Sequence, residues 1–432
     1  MRRPLTESLA VPVEGDARLG LRANLAQFLL LVAVNAFVGG MVGLERSVLP
    51  VLAERDFGLA SRTAILSFLI SFGLVKAASN YAAGRLADRV GRKQVLLLGW
   101  VAALPVAPLI ILAPSWGWVV VANVFLGVNQ GLAWSTTVNM KIDLVGPARR
   151  GLAMGLNEAA GYGAVAVAAL AAGYLAATYG PRPAPFLLGV AFAGAGLFLS
   201  AVVVKDTGAH VTLESRQSVP PRTGLGGGAL FLHTSFRDRN LSSACQAGLV
   251  NNLNDAMAWG LLPLYFAAAG LPLTEIAILS AAYPAVWSVG QLATGWASDY
   301  VGRKWLIAGG MAVQAIAIML IALSHSFGQW LAEAVLLGIG TAMVYPTLLA
   351  AVSDASHPSF RASAIGIYRF WRDSGYAVGA IVAGVTADVI SSTAAIELVA
   401  GLTAISAAVV ALRMIEKNDR PLRPQPAIDR VM

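Results

Sequence analysis

The run Gly84-Arg-Leu-Ala-Asp88-Arg-Val-Gly91-Arg92-Lys93 returns 211 positions later as Gly295-Trp-Ala-Ser-Asp299-Tyr-Val-Gly302-Arg303-Lys304. The same offset of 211 lays Asp143 on Asp354, Pro147 on Pro358, Arg150 on Arg361, Ala153 on Ala364, Gly155 on Gly366 and Gly173 on Gly384. One shift that fits several separate regions marks an internal duplication, and a charged glycine-bearing hairpin between apolar stretches places that duplication in a membrane.

Composition agrees with that setting. Hydrophobic residues make up 57% of the 432-residue chain, charged residues 12%, and mean hydropathy is +0.68; soluble domains carry roughly 25% charge. A membrane helix needs about 20 apolar residues. The sequence offers twelve stretches, near 24–53, 62–83, 94–113, 117–141, 151–177, 186–204, 241–269, 274–296, 305–323, 328–350, 362–387 and 392–412, numbered here helices 1 to 12. The fold class expected is an all-α membrane protein of two pseudo-symmetric six-helix bundles. Its expected parts are an N-terminal tail (1–23), bundles at 24–204 and 241–412, a connector at 205–240 and a C-terminal tail (413–432). The connector contains Pro220-Pro221, Thr223-Gly224 and Gly226-Gly227-Gly228 and reads as a flexible link.

The formal charge of +8 is distributed by side. With a cytoplasmic N-terminus, 23 Lys and Arg fall on inner segments, against only Arg55, Arg62 and Arg182 outside. This is the positive-inside bias of a multi-pass cytoplasmic-membrane protein with both termini cytoplasmic, and it argues against a nucleic-acid partner. Cys245 is the single cysteine and lies in a span, so neither an intramolecular disulfide nor a cysteine zinc cluster can form. The polar first 23 residues lack an apolar core and a cleavage site, so they read as a tail and not a signal peptide. No phosphate-cradling glycine loop is present. His210, His233, His325 and His357 show no metal-ligand spacing, and no cofactor, metal or enzymatic activity is expected.

The paired hairpins, between helices 2 and 3 and between helices 8 and 9, resemble the signature of the major facilitator superfamily. The resemblance covers essentially the whole chain, and the second copy keeps Gly295, Asp299, Gly302, Arg303 and Lys304. It implies a twelve-helix carrier in which helices 1, 4, 7 and 10 line a central path. Gly84, Asp88, Arg92, Gly295, Asp299 and Arg303 are then conformational parts: Gly84 for close helix approach, Asp88 as acceptor for a neighbouring helix N-terminus and partner of Arg92. The plainer reading is that these cations set topology and touch anionic lipid. Two departures count against a drug pump. Gly127 stands where the family's drug antiporters carry an Arg ahead of Gln130-Gly131, and helix 5 lacks their Gly-Pro motif. Sugar-porter signatures are not evident. Nor is there an arginine pair in helices 2 and 8 of the nitrate-carrier kind, since Lys76 aligns with Trp287.

An ionisable side chain inside a span costs several kcal/mol unless it faces water or a partner. Glu45 and Arg46 (helix 1), Lys76 (helix 2), Glu158 (helix 5), Asp255 (helix 7), and Arg369, Arg372 and Asp373 (helix 11) are the candidates, balanced in sign. Arg369, Arg372 and Asp373 share one helical face, and Glu158 is the repeat counterpart of Arg369. A cross-cavity ion pair between those two is expected, with a static structural pair as the alternative. Glu45 beside Arg46 is either a proton-loading carboxylate or a rim pair that fixes helix 1.

Polar stripes add further candidates: Asn123, Gln130, Trp134, Thr137 and Lys141 in helix 4, Asn251, Asn252, Asn254 and Trp259 in helix 7, and Thr341, Tyr345 and Thr347 in helix 10. The plainer reading is that individual amides tie helices together and the aromatics pack. The function expected is secondary transport of a small polar or zwitterionic organic solute, monomeric and proton-coupled through Glu45, Glu158 or Asp255, leaning to export. Proton-coupled nutrient uptake is the alternative; an embedded sensor or enzyme on the same fold is another.

Overall fold

The computed structural model describes residues 18–146, 150–217, 226–356 and 360–416. Within these residues the twelve expected helices form. Helix 1 is Leu25–Arg46 continued by Leu49–Arg55, helix 2 Arg62–Val90, helix 3 Arg92–Ala103 with Val106–Ile111, and helix 4 Trp116–Asn129 through a wide turn at Gln130–Trp134 to Ser135–Val145. Helix 5 is Arg150–Tyr179 and helix 6 Ala184–Val202; helix 7 runs Arg239–Ala256, through a second wide turn at Met257–Leu261, to Leu262–Ala268. Helices 8 to 12 are Leu273–Val301, Arg303–Leu323, Phe327–Ala355, Arg361–Val389 and Ser392–Arg413. Among the described residues nine spans are long and apolar enough on composition alone to cross a bilayer; of the other three, helices 4 and 7 carry polar stripes and helix 11 carries the Arg369, Arg372 and Asp373 cluster.

Side-chain caps start several helices. Ser61, Ser326 and Ser391 each accept a backbone N–H of helix 2, 10 or 12, and Asp238 accepts from Asn240 and Leu241 at helix 7. Gly91 and Gly302 separate helices 2 from 3 and 8 from 9 with φ of 94° and 95°, a region that only glycine occupies without strain, so the two hairpins are conformational twins. Their surroundings repeat as well. Arg92 Nε lies 3.6 Å from Asp143 Oδ2 and Arg303 Nε 3.1 Å from Asp354 Oδ2. The first backbone N–H groups of helices 3 and 9 meet carboxylates from just beyond helices 6 and 12: Asp206 takes Lys93 N–H at 2.8 Å, and Glu416 takes Arg303 N–H at 3.0 Å and Lys304 N–H at 2.9 Å. Neither acid was visible in the repeat, because their spacing is one residue off the offset.

One hairpin expectation changes. A Cβ at Gly84 or Gly295 would meet nothing within 4 Å, so neither glycine marks a close helix crossing in this conformation. Arg92 is engaged with Asp143 and the Ala87 carbonyl. The side chains of Asp88, Arg150 and Asp299, and all of Pro147, Arg149 and Pro358, lie outside the described residues.

The close crossings are elsewhere. A Cβ at Gly39 would run into the Gly161 carbonyl between helices 1 and 5, and Gly310 meets Gly340 between helices 9 and 10. Across the two bundles, helix 2 lies along helix 11 with Gly73 against Tyr376 and Ala377, and helix 5 lies along helix 8 with Gly173 against Ala277.

The connector is more ordered than its composition suggests. Helices occupy Gly208–Gln217 and Gly227–Leu232, the latter prolonged by His233–Arg237. The second is anchored by buried Leu230 and by Trp371 of helix 11, whose Nε1 donates to Ser235 Oγ at 2.8 Å. Residues 218–225, which include the proline pair, lie outside the described residues.

Replacing Gly39 by Val should lower stability by about 1–3 kcal/mol through overpacking against Gly161, whereas Gly84→Ala should leave it unchanged or slightly raised. Thermal melts of the purified variants in detergent check the contrast.

Candidate functional site

Charges that lipid would exclude are collected where the bundles meet. Asp373 on helix 11 is wholly buried. It accepts from Arg372 Nε and Nη2 at 3.0 and 2.8 Å and from Asn252 Nδ2 at 3.4 Å within its own bundle, and from Asn80 of helix 2 in the other. Lys76 Nζ, one helical turn before Asn80, is 3.9 Å from the same carboxylate. One acid is thus shared by both halves of the molecule. Arg372 extends the network: its Nη1 donates to Tyr345 Oη at 2.7 Å, and Tyr162 Oη of helix 5 donates to that same oxygen at 3.1 Å.

Aromatic rings wall this centre. Tyr162 stacks on Trp287 at 3.5 Å, Trp134 meets Tyr162 at 5.2 Å, and Trp259 stacks on Tyr376 at 5.9 Å. Three cations rest on ring faces. Arg46 lies 5.0 Å from both Phe72 and Trp259, Lys76 5.0 Å from Tyr376 and 5.8 Å from Trp134, and Arg372 5.1 Å from Tyr345. Such contacts stabilise a desolvated cation by about 2 kcal/mol, well short of what removing it from water costs.

The acids differ in how completely they are satisfied. Asp255 is held by Tyr283 and by Tyr376 Oη at 3.3 Å, and Tyr283 also contacts Thr341 at 3.2 Å. Glu158 accepts from Trp134 Nε1 at 2.9 Å and Asn157 Nδ2 at 3.2 Å through Oε1, while Oε2 has no partner in the protein. Glu45 and Arg46 are 1% and 0% exposed, yet among the described residues no close hydrogen bond reaches either carboxylate oxygen or the three guanidinium nitrogens, the Asn123 amide being the polar group beside Glu45. Arg46 ends the first segment of helix 1, directly before the break at Ser47-Val48. The wide turn at Met257–Leu261 in helix 7 stands at the matching place in the second repeat and carries Trp259 to the Arg46 guanidinium. A turn of this kind inserts an extra residue into the helix and re-aims its side chains.

Several expectations are altered by this geometry. No ion pair joins Glu158 to Arg369, both among the described residues; Glu158 is held within its own bundle, and Arg369 Nε is buried without a partner. Gln130 turns into its bundle, donating to the Val38 carbonyl at 2.7 Å, so it ties helix 4 to helix 1. Asn251 and Asn254 face Gln314 of helix 9 at 3.0 and 2.8 Å, with Thr403 of helix 12 also on Asn254, and these too hold a bundle together. Glu45, Arg46, Lys76, Trp134, Glu158, Asp255, Tyr345, Arg372 and Asp373 are buried or half-buried.

The residues missed were neutral: Asn80, Tyr162, Tyr283, Trp287 and Tyr376. Asn80 and Tyr162 follow Lys76 and Glu158 by four positions, and Tyr376 follows Asp373 by three, so helical spacing from a named charge would have found them. Lys141 is wholly buried inside the first bundle with its Nζ on the Leu31 carbonyl at 3.0 Å.

Paired helical bundles enclosing a charged, aromatic-walled interface define a multi-pass membrane transporter. The chain belongs to the major facilitator superfamily, whose family model matches residues 28–242 and again 244–430. Among curated proteins it is similar to the quinolone resistance protein NorA of Staphylococcus aureus strains MRSA252 and N315, each 25% identical over 128 residues, or 30% of this chain and 33% of that protein. The match spans about a third of the length of those relatives. Among solved structures it resembles a POT family transporter in complex with 5-aminolevulinic acid and another in complex with a thioalcohol conjugated peptide. Each superposes with a TM-score of 0.71 at 14% identity over 89% of this chain and 95% of the other, a likeness of fold.

Breaking the shared acid should be costly. Asp373→Asn and Arg372→Gln should each destabilise by about 3–5 kcal/mol, because each strands a buried charge, and the double variant should lose less than the sum. Chemical or thermal unfolding of all four proteins measures the coupling; additive losses would remove the pairing.

Proposed function

We propose that this protein is a secondary active carrier that moves a small polar or zwitterionic organic solute across the cytoplasmic membrane by alternating access, exporting it in exchange for protons. The observation that carries the reading is the buried Glu45-Arg46 pair, which among the described residues makes no close hydrogen bond. A desolvated guanidinium with bare donors and a desolvated carboxylate with bare acceptors are each costly, so their partners come from outside the chain. An acidic group on the solute would supply Arg46; a proton would neutralise Glu45. Arg46 lies against Phe72 of one bundle and Trp259 of the other, so a solute bound there would bias how the halves sit relative to each other, which coupled transport requires.

Asp255 and Glu158 are the further acids through which a proton could pass. The shared Asp373 supports a hinge role at the centre, since rocking one bundle against the other must exchange its partners from helix 2 for others. The lean to export draws on the partial similarity to the quinolone resistance protein. The excess of Lys and Arg on the hairpin side supports a cytoplasmic placement of that face and both termini, with bundles at 24–204 and 241–412 working as a monomer.

Proteoliposomes with an imposed pH gradient test the proposal against a panel of amino acids, amines and carboxylates. Wild-type protein should drive a solute against its gradient. Glu45→Gln or Asp255→Asn should abolish the pH drive while leaving solute exchange, and Arg46→Gln should raise KM about 10- to 100-fold for acid-bearing solutes only. Unchanged coupling in both acid variants would remove these two residues as proton carriers.

A further inference from the structure

At the face opposite the hairpins, helix 2 begins with its first N–H groups unsatisfied by its own backbone, as every helix does. Ser61 is its own N-cap and accepts from Ala64 N–H at 3.1 Å. The remaining donors are met from the other bundle. Asp388, in the last turn of helix 11, takes the Arg62 N–H on Oδ1 at 2.5 Å, and the Thr63 N–H and Ser61 hydroxyl on Oδ2 at 2.9 and 2.7 Å. Gly384 lies one turn earlier on the same face of helix 11, and a Cβ there would stand 2.8 Å from Thr63 Cα. That close approach brings the carboxylate within reach. The Arg62 side chain is turned away to Glu54 of helix 1, so it is the peptide dipoles that Asp388 meets.

We propose that Asp388 is a latch: helix 11 supplies part of the N-terminal cap of helix 2 in trans and so holds shut the face opposite the hairpins. The bond is made between bundles, so it exists only while that face is closed. Opening the face returns three donors and a carboxylate to water, and the latch sets how often that happens without taking part in solute binding. It is also one-sided. The repeat counterparts of Asp388 and Ser61 are Ala177 and Pro272, and Pro272 caps helix 8 with no side-chain bond. At the helix 5–helix 8 seam Gly173 packs against Ala277 and the start of helix 8 has no side-chain cap, whereas the helix 2–helix 11 seam carries the polar lock.

Spin labels at Tyr179→Cys and Ala269→Cys, exposed on the two bundles at this face, report its opening in lipid nanodiscs when introduced into a Cys245→Ser background. No solute or pH gradient is needed, so the outcome is independent of the transport reading. Asp388→Ala should lower the closed-to-open ratio about three- to thirtyfold, the range for losing a helix cap. Asp388→Asn should retain most of it, as Asn caps nearly as well. Ser61→Ala should shift the ratio in the same direction, and the double alanine variant should go little further than Asp388→Ala. An unchanged distance distribution in Asp388→Ala, or fully additive shifts for Ser61→Ala and Asp388→Ala, overturns the latch; if Asp388→Ala does not fold, a closed-state distribution unaltered by Ser61→Ala overturns it equally.

Discussion

An ion cannot face hydrocarbon, and the architecture follows from where this chain puts its ions. Asp373 is bound by Arg372 and Asn252 on its own side and by Asn80 and Lys76 from across the interface. Neither bundle alone satisfies it in this conformation, so closing the interface is part of solvating the charge. The tyrosines extend the same logic. Tyr162, Tyr345, Tyr283 and Tyr376 bring hydroxyls to buried charges while filling the centre with ring surface, which lets a site with eight ionisable groups remain closely packed.

Within that centre satisfaction is uneven, and the unevenness has a functional sense. Asp373 and Asp255 are fully engaged; Glu45, Arg46 and one oxygen of Glu158 are not. Saturated charges hold a conformation, and under the proposed function the less satisfied ones are where a solute or proton would act. The two groups sit on different helices and are linked by rings, Phe72 against Arg46 and Lys76, and Tyr376 against Phe72.

The duplication governs the periphery more strictly than the centre. Gly91 and Gly302 share a backbone conformation, Arg92 and Arg303 pair with equivalent aspartates, and Asp206 and Glu416 close equivalent helix starts. Trp134 and Tyr345 are counterparts that both pack on Tyr162. Elsewhere symmetry is broken by chemistry: Glu158 stands opposite Arg369, Lys76 opposite Trp287, and Asp388 opposite Ala177. A symmetric frame permits two equivalent tilts of the halves, and asymmetric side chains make those tilts unequal in energy.

The sequence by itself determined the twelve spans, the repeat, the sidedness of charge and which ionisable groups had to be sheltered, because each of these is a property of local composition against a bilayer. Helical spacing also put Arg369, Arg372 and Asp373 on one face of helix 11. It could not say that Glu158 turns to Trp134 and not to Arg369, that Gln130, Asn251 and Asn254 are spent inside their bundles, or that Gly84 touches nothing. Those outcomes depend on how far each helix is rotated and where it breaks. An amide meets a backbone carbonyl or a cavity according to rotations of tens of degrees, and the wide turns at Gln130–Trp134 and Met257–Leu261 change them. Only the packed tertiary structure, in which every buried polar atom competes for the same few partners, decided them.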